Sequence, residues 1–159
     1  MPDWDFKIFN DPEVKWASKK MPNGETRISA LFPGGTRRIT TIASGEGGWQ
    51  VGHFHKGISE EYSLEKGFMV LAYLCPFKKR ETWRPVLKGD KVLIPPPEPH
   101  NVWLSPGAVI TTVQSGKPVG NPFKEGRDWY LAPPGFDEWC EKKATRLIRR
   151  FMKVAIIPR

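Results

Sequence analysis

The chain has 159 residues, 39% of them hydrophobic, which suffices for one ordinary domain with its own core and no covalent staples. No apolar run approaches the roughly 18–20 residues of a membrane span; the longest, Phe68–Leu74, is strand-sized. The net charge is +8, but residues 141–159 carry seven basic residues against Glu141 alone, so the first 140 residues hold only +2. The excess belongs to one terminal segment, and a nucleic-acid partner is not expected.

The acidic start, Met1-Pro2-Asp3-Trp4-Asp5, has no basic-then-apolar signal pattern, and a cytoplasmic location is expected. Sixteen prolines, fifteen glycines and many short apolar runs predict an all-β domain. Asn23-Gly24 predicts a hairpin turn between strands at Val14–Ser18 and Glu25–Phe32. Pro33-Gly34-Gly35 breaks the chain before a strand at Arg38–Ser44. Gly45–Gly48 reads as a loop, and Trp49–His55 alternates as a strand with Trp49, Val51, His53 and His55 on one face. Further strands are expected at Glu60–Leu64, Phe68–Cys75, Thr82–Leu87, Lys91–Ile94, His100–Leu104 and Val109–Gln114. Lys78-Lys79-Arg80 reads as an exposed loop.

Gly116–Pro134 is Pro-rich and irregular. After Pro133-Pro134-Gly135, the residues Phe136, Trp139, Cys140, Ala144, Leu147, Ile148 and Phe151 recur at helical spacing. Acidic residues fill the first turns and basic ones the later turns, in keeping with the helix dipole. One amphipathic helix over about 136–153 is predicted. Its basic residues read as a solvated face opposite the apolar stripe. Two cysteines, Cys75 and Cys140, cannot build a disulfide framework and read as buried thiols.

The chain contains three histidines, and all fall in short strand-like segments. His53 and His55 share a face, Glu60 is in phase with Tyr62 and Leu64, and His100 is in phase with Val102 and Leu104. Three imidazoles and a carboxylate pointing inward are costly without a partner. A divalent metal removes that cost, and this donor set suits iron, manganese, nickel, cobalt, copper or zinc. Trp49, Tyr62 and Tyr73 are candidate pocket residues, with Tyr62 foremost. Trp103 is out of phase with His100, faces away from the metal and reads as a packing residue.

Gly47, five residues, His53-Phe54-His55, four residues, Glu60, six residues and Gly67 match the first cupin motif. Gly89, five residues, Pro95 and then His100 match most of the second. Pro97 and Leu104 stand where that motif has glycine and asparagine. The sequence therefore resembles the cupin superfamily. The resemblance implies a double-stranded β-helix, the cupin jelly roll, with the amphipathic helix appended at the C-terminus. N-terminal strands over 1–36, a barrel over 37–118 and a linker and helix over 119–159 would form one structural domain. It implies that His53, His55, Glu60 and His100 bind one metal inside the barrel.

With every histidine on the metal, none is left as a general base. The histidine-based proton transfer of metal-free cupin epimerases does not fit, and proton transfer would need metal-bound water, Glu60, a tyrosine such as Tyr62 or another carboxylate. The expected function is a metal-dependent enzyme on a small organic molecule, foremost a dioxygenase-like oxidoreductase. A sugar or sugar-phosphate isomerase or epimerase and a non-catalytic binding or sensing module are the alternatives. A homodimer is expected from the resemblance.

Overall fold

The computed structural model describes residues 10–75, 77–119 and 128–155. The acidic N-terminus, the start of the expected N-terminal arm and residues 120–127 of the irregular stretch lie outside the described residues.

Strands β1 (Lys15–Lys20), β2 (Thr26–Leu31), β3 (Arg37–Ile42), β4 (Gly48–Trp49), β5 (His53–Phe54), β6 (Ile58–Lys66), β7 (Met69–Cys75), β8 (Arg80–Val86), β9 (Lys91–Ile94), β10 (His100–Leu104), β11 (Val109–Gly116) and β12 (Tyr130–Leu131) follow in chain order. They form two six-stranded antiparallel sheets, ordered β1-β2-β3-β11-β6-β9 and β12-β5-β10-β7-β8, with β4 also on β10. The strand pairs cross over between hairpins, the pattern of a jelly roll. The Asn23-Gly24 turn joins β1 to β2 as expected, with Lys20 opposite Thr26.

The barrel core comes from alternate residues of both sheets. Met69, Leu71, Val102, Leu104, Ala108 and Ile110 are sealed, with Tyr62, Leu64, Val92 and Ile94 beside them. Each such Val, Leu, Ile or Met side chain stabilises the fold by about 1.5–3 kcal/mol. This apolar layer fills the interior below the histidine level, so the polar cluster is set on a rigid floor. Gly47, at φ +66°, makes the turn entering β4, where a side chain would meet the backbone of Leu104–Pro106. That close approach requires glycine.

One strand phase departs from expectation. Trp49 lies opposite Trp103, and His53 lies opposite His100. Four steps along the β4–β5 segment therefore match three along β10. The extra residue is a β-bulge, and it reverses the side-chain phase between Trp49 and His53. Trp49 consequently faces away from the histidines and packs with Phe136, Cys140 and Ala72, its Nε1 donating to Thr145 Oγ1 at 2.9 Å. Val51 is exposed rather than inward. Trp103 packs edge-on to Phe68, which stacks on Phe151 of the helix, the packing role its phase predicted.

The terminal helix is not uniform. A first turn, α1 (Phe136–Trp139), passes into a π-helical segment (Cys140–Ala144) and then α2 (Thr145–Ala155). Its buried residues are Phe136, Cys140, Ala144 and Ile148, each four apart. In a pure α-helix, that spacing would rotate the stripe by about 40° per step. The wider π turn absorbs the drift and keeps the stripe on the sheet. Leu147 and Phe151, assigned to the same stripe by spacing, instead lie at its edge, 38% and 36% exposed. Of the two cysteines, Cys140 is fully buried, whereas Cys75 is only half-buried. Burial pushes the Cys140 thiol up to about 12, so it is inert. No helix among the described residues is long and apolar enough to cross a membrane.

Candidate metal centre

β5, β6 and β10 bring His53, His55, Glu60 and His100 together. Their donor atoms all lie within 4.8 Å of one another, and all four residues are buried. His53 and His100 are direct cross-strand partners on β5 and β10, and Glu60 reaches them from the facing sheet on β6. Glu60 Oε2 lies 2.7 Å from His100 Nε2, 3.2 Å from His55 Nε2 and 3.7 Å from His53 Nε2.

The outer nitrogens of the three rings fix what the inner ones can do. His53 Nδ1 donates to Val51 O and His100 Nδ1 to Glu98 O, each at 2.9 Å, and His55 Nδ1 donates to Asp128 O. A carbonyl only accepts, so each Nδ1 carries a proton, and a ring in its neutral form turns its Nε2 lone pair inward. Three lone pairs and a carboxylate then point at one another. That is repulsive unless a metal ion or a proton sits between them, as a proton does in the 2.7 Å hydrogen bond between His100 Nε2 and Glu60 Oε2. His55 Nε2 in particular is buried without a hydrogen-bond partner. Rings fixed through Nδ1 by carbonyls, with Nε2 converging, are the arrangement of metal-ligating histidines. The residues present fit one divalent transition metal.

The titration tendencies agree. Burial acts to lower His55 and to raise Glu60, but the nearby Glu60 carboxylate leaves His55 raised, and the imidazoles around Glu60, His100 first and then His53 and His55, hold it well below the carboxylate range. At His53, burial prevails over the pull of Glu60 and holds the ring below its ordinary value, in the neutral form. In the metal-free chain, a proton shared with Glu60 does part of the work that a metal would do.

Two further groups hold the carboxylate. Tyr62 Oη donates to Glu60 Oε2 at 2.7 Å and lies 3.1 Å from His100 Nε2, and Gln114 Nε2 donates to Glu60 Oε1 at 2.8 Å. Tyr62 thus lies at the centre of the cluster, against Glu60 and His100. Tyr73 pairs with His100 in register and is half-buried, so it shares the inner face. Trp49, the third candidate, is elsewhere for the reason given above.

The sequence reading missed Gln114, Asp128 and Trp129. Asp128 is buried, and its carboxylate accepts from the backbone N–H groups of Lys56 and Gly57 at 2.7 Å and of Val119 at 3.1 Å. Its own carbonyl fixes His55, so one residue ties the strand after the barrel to a ligand. Trp129 stacks on His53 at 5.5 Å and 23°. Behind the histidines, Asp137 Oδ1 accepts from Gly52 N and Asn101 Nδ2, both at 2.9 Å. These are the residues before His53 and after His100, so the start of the helix anchors both ligand strands.

No protein-family model matches the sequence, and no curated protein matches it. Solved structures do. A variant of Bacillus subtilis oxalate decarboxylase OxdC superposes with a TM-score of 0.58 at 15% identity, over 91% of this chain and 38% of that one. An oxalate oxidase superposes with 0.56 at 17% identity, over 84% and 68%. The capsular polysaccharide assembling protein CapF from Staphylococcus aureus gives 0.56 at 16% identity, over 74% and 32%. The chain spans about a third of CapF and somewhat more of the decarboxylase. By its two sheets and its likeness to these structures, the chain has the double-stranded β-helix fold, the cupin jelly roll, and it carries a buried three-histidine, one-glutamate cluster that could hold a metal ion.

Proposed function

We propose that the protein is a metal-dependent oxidoreductase of dioxygenase type acting on a small organic molecule. The observation that supports it is the convergence of three Nε2 lone pairs and one carboxylate on a single point, each held from behind. His53, His55, Glu60 and His100 would together offer a divalent ion four protein donors. A redox-active divalent ion held there would supply electron transfer and sites for small ligands. The likeness in fold to an oxalate oxidase is in keeping with this reading.

The chain's own residues have distinct parts in it. His53, His55, His100 and Glu60 hold the ion. Gln114 and Tyr62 fix the Glu60 carboxylate so that it cannot rotate. Burial, with the neighbouring Glu60 charge, keeps the Tyr62 hydroxyl well above its ordinary value, so Tyr62 holds its proton at Oη and acts as a donor. Trp129 covers His53 and limits water on that side. With all three histidines engaged, proton movement falls to Tyr62 and Glu60.

Oxygen uptake by iron- or manganese-reconstituted protein with small organic acids tests this. Uptake that needs the metal and is lost in His100→Ala is expected. Turnover that proceeds equally without oxygen, or on a zinc-loaded protein, would refute it. That second outcome is the signature of the other reading, a sugar or sugar-phosphate isomerase. One observation favours that alternative: a cation, Arg37, lies in the same cross-strand row as Glu60.

A further inference from the structure

We infer that Arg37 is the specificity residue of this site and that the substrate is a small organic anion, bound through its carboxylate or phosphate group by the Arg37 guanidinium. The inference rests on the metal-dependent reading above and adds the substrate class to it.

The placement follows from register. On the sheet that carries Glu60, Gln114 is the direct partner of Glu60, and Arg37 is the direct partner of Gln114. Directly opposed residues of antiparallel strands share a face. Glu60 faces the interior, so Gln114 and Arg37 do too. Ala43, in phase with Arg37 along the same segment, lies in the barrel core with Tyr62 and Ile110, which fixes the inward phase independently. Two strand spacings put the Arg37 Cα about 10 Å from that of Glu60. A long side chain and a small molecule span that gap.

The charges single out Arg37. Arg27 also faces inward, opposite Thr41, but its guanidinium is matched by buried Glu25 at 3.0 Å. Arg37 is half-buried, and among the described residues its side chain has neither an ion pair nor a hydrogen bond. A half-buried cation aimed at the interior without a partner is unfavourable as a structural element. As a ligand-binding group it is well suited, because a guanidinium grips a carboxylate or phosphate through two parallel hydrogen bonds. Neutral imidazoles, one carboxylate and a divalent ion leave one positive charge at the centre, and Arg37 adds another. An anion that spans both balances the interior.

The test is isothermal titration calorimetry on the zinc-loaded protein, with malonate and glucose 6-phosphate as anionic probes and malonamide and glucose as their neutral counterparts. One anion should bind wild type at least about tenfold more tightly than its neutral counterpart, the value of one charge-assisted hydrogen bond. Arg37→Gln and Arg37→Met, the latter keeping the aliphatic stem, should reduce that anion to the level of the neutral probe. Arg37→Lys should restore part of the difference. Malonate as the favoured probe identifies a carboxylate substrate, and glucose 6-phosphate a phosphate.

Equal anion binding by wild type and a folded Arg37 variant overturns the inference. So does a neutral probe that binds as well as its anion, or failure of both anions to bind zinc-loaded wild type. Zinc content of the same samples separates the two claims. Protein that takes up no zinc refutes the metal reading, whereas zinc-loaded protein indifferent to Arg37 refutes only this inference.

Discussion

Gly52→Ala is expected to unseat the helix from the ligand strands. A methyl group there would overlap Asp137 Oδ1 and lie 2.9 Å from Phe136 Cδ1 and 3.2 Å from Ala132 Cβ. Phe136 is fully packed and cannot retreat without moving the helix start. Overpacking of this kind costs about 1–3 kcal/mol. Displacing Asp137 also weakens the bonds it accepts from Gly52 N and Asn101 Nδ2, and a bond to a charged group contributes about 1.5–3 kcal/mol. The two effects overlap, so the expected loss is about 2–4 kcal/mol. For a domain of this size, that is about 4–16 °C in Tm. Thermal and urea unfolding of the metal-free protein measure it. Gly45→Ala is the control, because nothing lies within 4 Å of a methyl group there, and it should change stability by less than about 0.5 kcal/mol. Equal stability of the two variants would refute the claim that Asp137 and Phe136 lock the helix to the strand entering His53.

Three further outcomes are expected. Gln114→Leu should leave the protein folded but weaken metal binding about 10–100-fold, the usual effect of removing a group that orients a ligand, as read by competition with a chelator of known affinity. Asp128→Ala strands the N–H groups of Lys56, Gly57 and Val119 and should cost about 3 kcal/mol or more in urea unfolding. In the metal-free protein, the raised His55 pKa adds stability that is full below the ordinary 6.5 and is lost as pH rises through the folded value. The depressed Glu60 pKa adds stability that is present above 4.5 and lost as pH falls through its folded value. Stability of the metal-free chain relative to Glu60→Gln should therefore peak between those limits, and metal uptake near pH 6 should release more protons than uptake near pH 8.

The ligand set was legible because its signal is local. His53, His55 and Glu60 lie within eight residues of one another at the spacing of the first cupin motif, and that resemblance, rather than strand phase, joined them to His100. The positions of most strands along the chain were likewise readable from turn residues such as Asn23-Gly24, though not their order in the sheets. Trp49 was misplaced because alternation assumes an unbroken strand, and the extra residue between Trp49 and His53 becomes visible only when both are paired against β10. Gln114 was within reach, since it continues the inward phase of Ile110 and Thr112, but a polar residue at a strand end carries no signal of its partner 54 positions away. Asp128 follows a Pro-rich stretch without periodicity, and its hold on His55 and on three backbone N–H groups is purely tertiary. The helix was found by its apolar spacing. Its π turn was not, because four-residue spacing of buried positions is compatible with an α-helix until the surface it must follow is known.

The central claim is that His53, His55, Glu60 and His100 form one metal site. The most direct measurement is the metal content of purified protein by elemental mass spectrometry, before and after reconstitution with manganese, iron, cobalt and zinc. Wild type should hold close to one equivalent per chain of at least one of these ions, and a folded His53→Ala/His100→Ala double variant should hold essentially none. A wild-type protein that takes up none of the four, or a double variant that retains the same stoichiometry, would contradict it.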